Sequence, residues 1–590
     1  IGTVDVEEDG SAMFEVPARV PLSVQPLDAE GKAVQLMRSW FTAMPGETVS
    51  CVGCHEHPKD VPLSDQRAAA LREPQKISQW YGPARGFDFE REVQPVLDKY
   101  CVSCHNGQPR QDNREIPDLR AERFFKDYQG RELARLGRTR LHPALKKALG
   151  GTKIKYTPAY EALFPYIRRV NIEDHVELLA PGEYHADTSE LIQMMLKGHK
   201  GVGLDAEAWD RLVTWIDLNG PCHGRWSDVG LIPEGAAKRR HELALQYGGP
   251  DTDPEAAPET SRADITPLHV ASKSVAIKPA SLSVEQPGGQ SSVSSKVIDV
   301  APGLRMKLVH IPAGRFLMGE SDRAPDASPV TPVRIEKGFW MGAFEVTNEQ
   351  YRCFDPAHDS GLFTKRFQGP DGPGLSLNGP KQPAVRVSWQ RAVEFCGWLS
   401  DKTGMRFALP TEAQWEYACR AGSQTDLSYG SKHDDFSKWA NVADKSLSTP
   451  PGPTGGLDSN INLHFGKGIL ESAVYGGIIV CDLRFNDGAV ATCEPGSYGP
   501  NVWGLYDMHG NASEWTRTVY RPYPYDTEDG RDDPGAGGEK VVRGGSWQDR
   551  PKRCRSAFRL SYPSWQRVHN VGFRVVSETV EDERQLVRGK

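Results

Sequence analysis

Along residues 1–31, "IGTVDVEEDGSAMFEVPARVPLSVQPLDAEG", apolar and polar positions alternate with a period of two, interrupted at "EEDG" and "DAEG". That pattern predicts short strands joined by turns through about residue 50. The period changes at "FDFEREVQPVLDKY". There Phe89, Val93, Val96 and Leu97 share one helical face, and the helix delivers Cys101. Mixed helical segments continue to about residue 245, ending in "DAEAWDRLVTWIDLNGPCHGRW". The next fifty positions lose all sustained periodicity and fill with Pro, Ser, Ala and Gly, which predicts an extended linker. From about Val297 the chain turns to short apolar runs punctuated by Trp and Gly. "SWQRAVEFCGWLSDKTG" and "TEAQWEYACRAG" are its predicted helices. Thr411 caps the second, with Gln414 three positions on as its capping-box partner.

The expected organisation is therefore multidomain, without internal repeats. A β-rich segment spans 1–80 and a mainly α segment 81–248. A linker covers 249–298, an α+β domain 299–580 and a charged tail 581–590. A chain of 590 residues accommodates about three or four domains at roughly 150 residues each. The net charge of -7 and the scattered basic residues argue against a nucleic-acid partner. No apolar run approaches the roughly 18 residues of a membrane-spanning helix, so no span is expected. The chain opens on Ile1 with strand-like alternation and no charged-then-apolar leader, so a start inside a domain or at a processing site is expected.

Chemistry enters with "SCVGCHEHPKD" and "KYCVSCHNG". A c-type haem is held by thioethers from two cysteines, and the histidine that follows sits under the iron. Cys51, Cys54 and His55 fit this pattern, as do Cys101, Cys104 and His105. A zinc site needs four ligands, and one such motif supplies three. Disulfides would account for the cysteines but not for the histidine after each pair. For the second haem, "SELIQMMLKGHKGVGL" offers Met194, Met195 and His199 as the opposite axial ligand; His199 is favoured, with His185 and His223 as rivals. The plain alternative is a solvated surface histidine. For the first haem, His57 lies too close to His55 to reach the far face, which leaves that iron open or ligated from elsewhere.

"AVQLMRSWFTAMPGETVSCVGCHE" resembles the haem-bearing middle domain of the hydrazine synthase alpha-subunit family. "FDFEREVQPVLDKYCVSCHNG" through "GHKGVGLDAEAWDRLVTWIDLNGPCHG" resembles the second cytochrome c domain of the same group. The likeness covers roughly the first 230 residues and implies a preceding β-propeller. The family takes a tyrosine as ligand just after its first motif. This chain reads "EHPKD" there, so the resemblance implies electron transfer or another haem redox reaction rather than hydrazine chemistry.

A second set, "FLMGE", "FWMGAFEVTNEQY", "PAVRVSWQRAVEFCGWL", "ALPTEAQWEYACRAG", "GLYDMHGNASEWT", "VVRGGSW", "CRSAFR" and "NVGFRVV", resembles the formylglycine-generating enzyme (sulfatase-modifying factor) family over about 299–578. The resemblance implies a variant of the C-type lectin fold. In that family a copper ion is held by two cysteines after the "GGS" turn. Here "GGSWQDRPKRCRSAFR" contains Cys554 alone, and one thiol does not make such a site. The family's calcium sites map onto Asp507, Gly510, Ala512 and Glu514, and onto Asn441, Val442, Asp487 and Ala489, giving one or two structural calcium ions. Ordinary loop-capping turns are the alternative for both. Covalent haem implies an extracytoplasmic, for example periplasmic, compartment in which disulfides persist. The resemblance brings Cys419 and Cys554 together as a disulfide, and Cys481 could pair with Cys493; buried free thiols are the alternative. Cys222, beside His223, has no evident partner.

The expected function is an extracytoplasmic di-haem c-type cytochrome that meets a redox partner protein, with or without other subunits of a complex. Its sulfatase-modifying-factor-like domain would serve binding or scaffolding. One alternative is a scaffold whose lectin-like domain takes a peptide or glycan. The other is an oxidase of protein cysteines. No catalytic residue is assigned.

Overall fold

The computed structural model describes residues 1–37, 40–51, 68–82, 85–107, 116–121, 125–126, 132–133, 157–169, 181–225, 235–248, 251, 294–320, 325–369, 372–448, 462–465, 469–472 and 479–578. Cys54, His55, His57, most of the expected linker and the 581–590 tail lie outside them. The chain divides into two compact units. One contains 1–167, 177–180 and 204–269; the other contains 168–176, 181–203 and 270–590. Among the described residues no helix is long and apolar enough to cross a membrane.

In the N-terminal unit the alternating stretch forms little continuous sheet. Gly2–Thr3 pairs antiparallel with Ser78–Gln79, and single bridges join Phe14 to Gln75, Leu22 to Phe41 and Leu27 to Ala33. Several of the alternating apolar side chains, including Val6 and Val24, are exposed rather than packed on a common face. The predicted helix exists as two, Phe89–Glu92 and Gln94–Tyr100, with Val93 as the joint. Pro95 lies in the first turn of the second helix, the one place where a missing N–H costs nothing. Phe89, Val93, Val96 and Leu97 are all buried, as the spacing required. Phe89, Tyr160 and Trp215 form an aromatic cluster with ring centroids 5.1–6.0 Å apart. The Trp215 indole N–H donates to Pro221 O (3.0 Å) and the Tyr160 hydroxyl to Gly220 O (2.8 Å), so each buried polar tip is satisfied. Asp217 Oδ2 accepts from Ala33 N (2.9 Å) and ties the N-terminal segment to the Ala206–Asp217 helix.

The C-terminal unit is α+β. A five-stranded sheet runs Phe407–Ala408, Val576–Glu578, Phe339–Gly342, Leu304–Ile311, Ser295–Ala301, with every pairing antiparallel. A four-stranded sheet runs Leu560–Tyr562, Lys540–Arg543, Ser513–Val519, Val571–Gly572; its last pair is parallel. Both predicted helices are present, at Trp389–Thr403 and Glu412–Arg420. The predicted capping box closes, with Gln414 N on Thr411 Oγ1 (3.0 Å) and Thr411 N on Gln414 Oε1 (2.9 Å). Trp415, Trp515 and Trp547 are fully buried.

Buried charge is as prominent here as buried tryptophan. His358 packs edge-on against Tyr351 at 4.6 Å and lies 3.0 Å from Ser360 Oγ. Burial pushes its pKa down to about 4, against the pull of Asp355. The folded state therefore holds this imidazole neutral, while the unfolded chain protonates it near the ordinary value. Its contribution is complete above pH ~6.5 and is lost as pH falls towards 4, by about 1–2 kcal/mol after allowance for its partial exposure. Urea midpoints across pH 4–7 check this: His358→Gln should flatten the slope, and an unchanged slope would assign the acid sensitivity elsewhere.

Candidate functional site

Three places carry chemistry, and the first is the second Cys-x-x-Cys-His motif. The Gln94–Tyr100 helix ends on Cys101, whose N–H bonds Leu97 O (2.8 Å). The chain then wraps one turn, with Cys104 N on Cys101 O (3.1 Å) and His105 N on Cys101 O (2.9 Å). Cys101 is half-buried and Cys104 exposed. His105 Nδ1 lies 2.9 Å from Pro117 O, and Leu119 N donates to His105 O (3.0 Å). A carbonyl at Nδ1 orients the ring and makes Nε2 the nitrogen that would meet an iron, so this motif fits covalent haem. Of the first motif only Cys51, exposed, is described. His199 follows the Glu190–Leu196 helix in a short 3₁₀ turn, and Met194, Met195 and His185 lie on the same stretch; all four belong to the C-terminal unit. His223 and Cys222 belong to the N-terminal unit, where Cys222 is buried and Cys222 O accepts from Phe89 N (3.0 Å).

The second place is a set of buried carboxylates. Asp507 Oδ2 accepts from Gly496 N (2.6 Å), whereas Oδ1 is buried with no protein partner. Glu514 is clamped by Arg574 (2.6 and 2.7 Å) and by the Trp415 indole (2.7 Å). Nearby Glu345, missed by the sequence reading, accepts from Ala512 N (2.9 Å) and Asn511 Nδ2 (2.8 Å). Burial first, then the charges of Asp507 and Glu514, hold the Glu345 carboxyl well above the usual range. Gly510, at φ +85°, packs where a Cβ would lie 2.0 Å from Asn441 O. The other set centres on Asp487, whose two oxygens accept from Val442 N and Ala489 N at 2.8 Å each. Asp444, also missed, accepts from Ser446 N (2.7 Å) and from Asp487 N. Burial and then Asp444 push Asp487 up to about 7. Asn441 Oδ1 is buried without a protein partner. Among the described residues no three Cys, His, Asp or Glu side chains converge as a metal site, so a cation here would combine a lone carboxylate with amide and carbonyl oxygens. The unpartnered Asp507 and Asn441 oxygens fit that donor chemistry, which is calcium's.

The third place is the turn Gly544–Gly545–Ser546. Both glycines have positive φ (+95° and +70°), and a Cβ at Gly545 would lie 2.6 Å from Cys554 Sγ. Ser546 Oγ donates to Asp549 Oδ2 (2.8 Å) and accepts from Asn570 Nδ2 (2.8 Å). Ser513 Oγ, Trp547 Nε1 and Asn570 Oδ1 are buried without protein partners. This stretch corrects one expectation: Cys419 and Cys554 are free thiols, not a disulfide. Their sulfurs face different neighbours. Cys419 Sγ lies 3.6 Å from His509 Nε2 and from Ser556 Oγ, while Cys554 Sγ lies 3.6 Å from Asp549 O. His509 touches both residues, with Nδ1 2.7 Å from Cys554 O. Ser428 N donates to His509 Nε2 (2.9 Å), so the proton sits on Nδ1. Burial pushes Cys419 up to about 12, so it is a packed thiol rather than a nucleophile. Cys493 is likewise free, its sulfur beside Asn511 Oδ1 (3.5 Å).

Both sheets and the GGS turn lie within one continuous stretch of the chain, residues 295–578. Residues 297–579 match the family model described as "Sulfatase-modifying factor enzyme 1-like domain". Residues 1–56 match "Hydrazine synthase alpha subunit middle domain". The formylglycine-generating enzyme of Bos taurus is 27% identical over 323 residues, 47% of this chain and 76% of its own length. The inactive C-alpha-formylglycine-generating enzyme 2 of Mus musculus is 27% identical over 325 residues, 47% of this chain and 88% of its own length. Among solved structures, PvdO from Pseudomonas aeruginosa is 26% identical with a TM-score of 0.34, covering 48% of this chain and 98% of that one.

Proposed function

We propose that the chain is an extracytoplasmic c-type cytochrome with two covalent haems, fused to a sulfatase-modifying-factor-like domain that binds and holds rather than oxidises. The observation that carries the reading is the turn Cys101–His105, with two thiols one turn apart and the His105 ring set by Pro117 O. When bound, haem supplies one-electron chemistry to a redox partner protein. The chain's part at this motif is to hold the two thiols and to orient His105 through Pro117 O. Electron transfer, the mainly α cytochrome c character of 81–248 and the periplasmic-type location stand or fall with this site. Denatured protein assayed as the pyridine haemochrome should show two covalent haems per chain; none would end the proposal.

The lone, buried Cys554 after the GGS turn supports a binding role for the C-terminal domain, since thiol-pair copper chemistry needs a second sulfur. We propose calcium at the Asp507–Glu514 turn and at Asn441, Val442, Asp487 and Ala489. There the ion would offset buried carboxylates and pin long loops. Calcium at about 100 times its dissociation constant should then stabilise the domain by about 2.7 kcal/mol. Thermal unfolding with calcium or a chelator checks this, and equal midpoints in both would remove calcium from the account.

A further inference from the structure

Within the C-terminal unit, residues 181–203 come from the part of the sequence expected to be haem-bearing, yet they pack on the stretch that follows the GGS turn. Arg550, Lys552 and Arg553 lie within four positions of one another and would repel if left alone. Glu190 sits among them, 3.2 Å from Arg550 Nη2, 3.3 Å from Lys552 Nζ and 3.9 Å from Arg553 Nη1. These three cations hold the Glu190 carboxyl well below the usual range although burial opposes it. One turn on, Gln193 uses both ends of its amide. Its Oε1 accepts from Arg553 Nη2 (2.5 Å), and its Nε2 donates to Tyr562 OH (2.7 Å). A further turn on, Lys197 lies 3.8 Å from the Phe558 ring and 3.7 Å from Asp326, and it donates to Arg559 O. Positions 190, 193 and 197 share one helical face. Upstream, Gln566 Nε2 donates to Gly182 O (3.2 Å), and Glu183 pairs with Arg386 (2.6 Å).

We propose that the face formed by Arg550, Lys552, Arg553 and Tyr562 is a docking site for a helical segment of the form Glu-x-x-Gln-x-x-x-Lys, and that its occupant is this chain's own residues 181–203. The site is built rather than incidental. A carboxylate meets three cations, an amide is read at donor and acceptor, and an ammonium stacks on an aromatic ring; of these groups only Lys552 is exposed. The same face lies beside the Ser546–Asp549–Asn570 cluster, because Arg553 Nε also donates to Asp549 Oδ1 (2.6 Å). While the segment is docked, external peptides have no access to this basic face. The domain then acts as a platform that fixes the stretch bearing Met194, Met195 and His199. This holds whether or not haem is bound.

Hydrogen exchange followed by mass spectrometry on the full chain tests the docking. Glu190→Lys should raise exchange of the 190–197 amides at least tenfold, and Gln193→Ala by a smaller factor. Adding Arg550→Glu to Glu190→Lys should restore at least half of the lost protection. Unchanged exchange in Glu190→Lys, or no recovery in the double variant, would overturn the proposal. Should Glu190→Lys also expose the Glu412–Arg420 helix, the isosteric Glu190→Gln decides. A rise confined to 186–201 supports the docking site, and no rise refutes it.

Discussion

A chain carrying Cys101→Ser together with Cys104→Ser is expected to retain one covalently attached haem instead of two. Each thioether needs a cysteine sulfur, and a hydroxyl cannot replace it. The substitution is otherwise mild, because serine keeps the volume and the turn. The backbone bonds from Cys104 N and His105 N to Cys101 O do not involve the side chains, and neither does the contact between His105 and Pro117 O. The helix before the motif is held by Phe89, Val93, Val96 and Leu97, all buried. The loss should therefore appear as chemistry without unfolding. The pyridine haemochrome should fall by half while the far-ultraviolet circular dichroism stays constant. An undiminished haem count would mean that the second motif never carried the group.

The largest effect on stability is expected from Glu412→Ala. Glu412 is fully buried at the start of the Glu412–Arg420 helix. Its oxygens accept from Arg559 Nε (2.6 Å) and Nη2 (2.9 Å), and Arg543 Nη1 lies 3.3 Å away. Arg543 and Arg559 are themselves fully buried, Arg543 pairs with Glu416, and Arg559 stacks on Tyr520 and Tyr523 at 4.6 and 4.4 Å. Removing the carboxylate leaves the buried Arg559 on the carbonyls of Asp326 and Arg521 alone, and leaves Arg543 on Glu416, which Arg420 also engages. Breaking a buried pair in this way costs about 3–5 kcal/mol, most of it the burial of uncompensated charge. Glu412→Gln keeps the shape and one acceptor oxygen, the other position becoming an NH2 donor, and should cost less than the alanine. Chemical denaturation of the two variants measures the difference; a loss under about 1 kcal/mol for Glu412→Ala would show that water relieves the arginines.

By itself the sequence determined the local features. The Phe89 face, the division of character near residue 297, the two C-terminal helices and the Thr411–Gln414 capping box depend on spacing and neighbours a few positions apart, which the chain states directly. Pro95 was visible too, yet its splitting of one helix into two was read only from the structure. Tertiary structure alone decided what depends on distant partners. The alternation in residues 1–31 specifies extended chain, but a sheet needs a second strand in register, and few were supplied. Asp444 and Glu345 joined the carboxylate clusters through burial, which no motif announces. The Cys419–Cys554 bridge failed because pairing requires the two sulfurs to face each other, and these face separate neighbours. The placement of Glu190 among Arg550, Lys552 and Arg553 joins positions about 360 residues apart. Its reason is electrostatic: three clustered cations need an anion, and only the folded chain shows which glutamate supplies it.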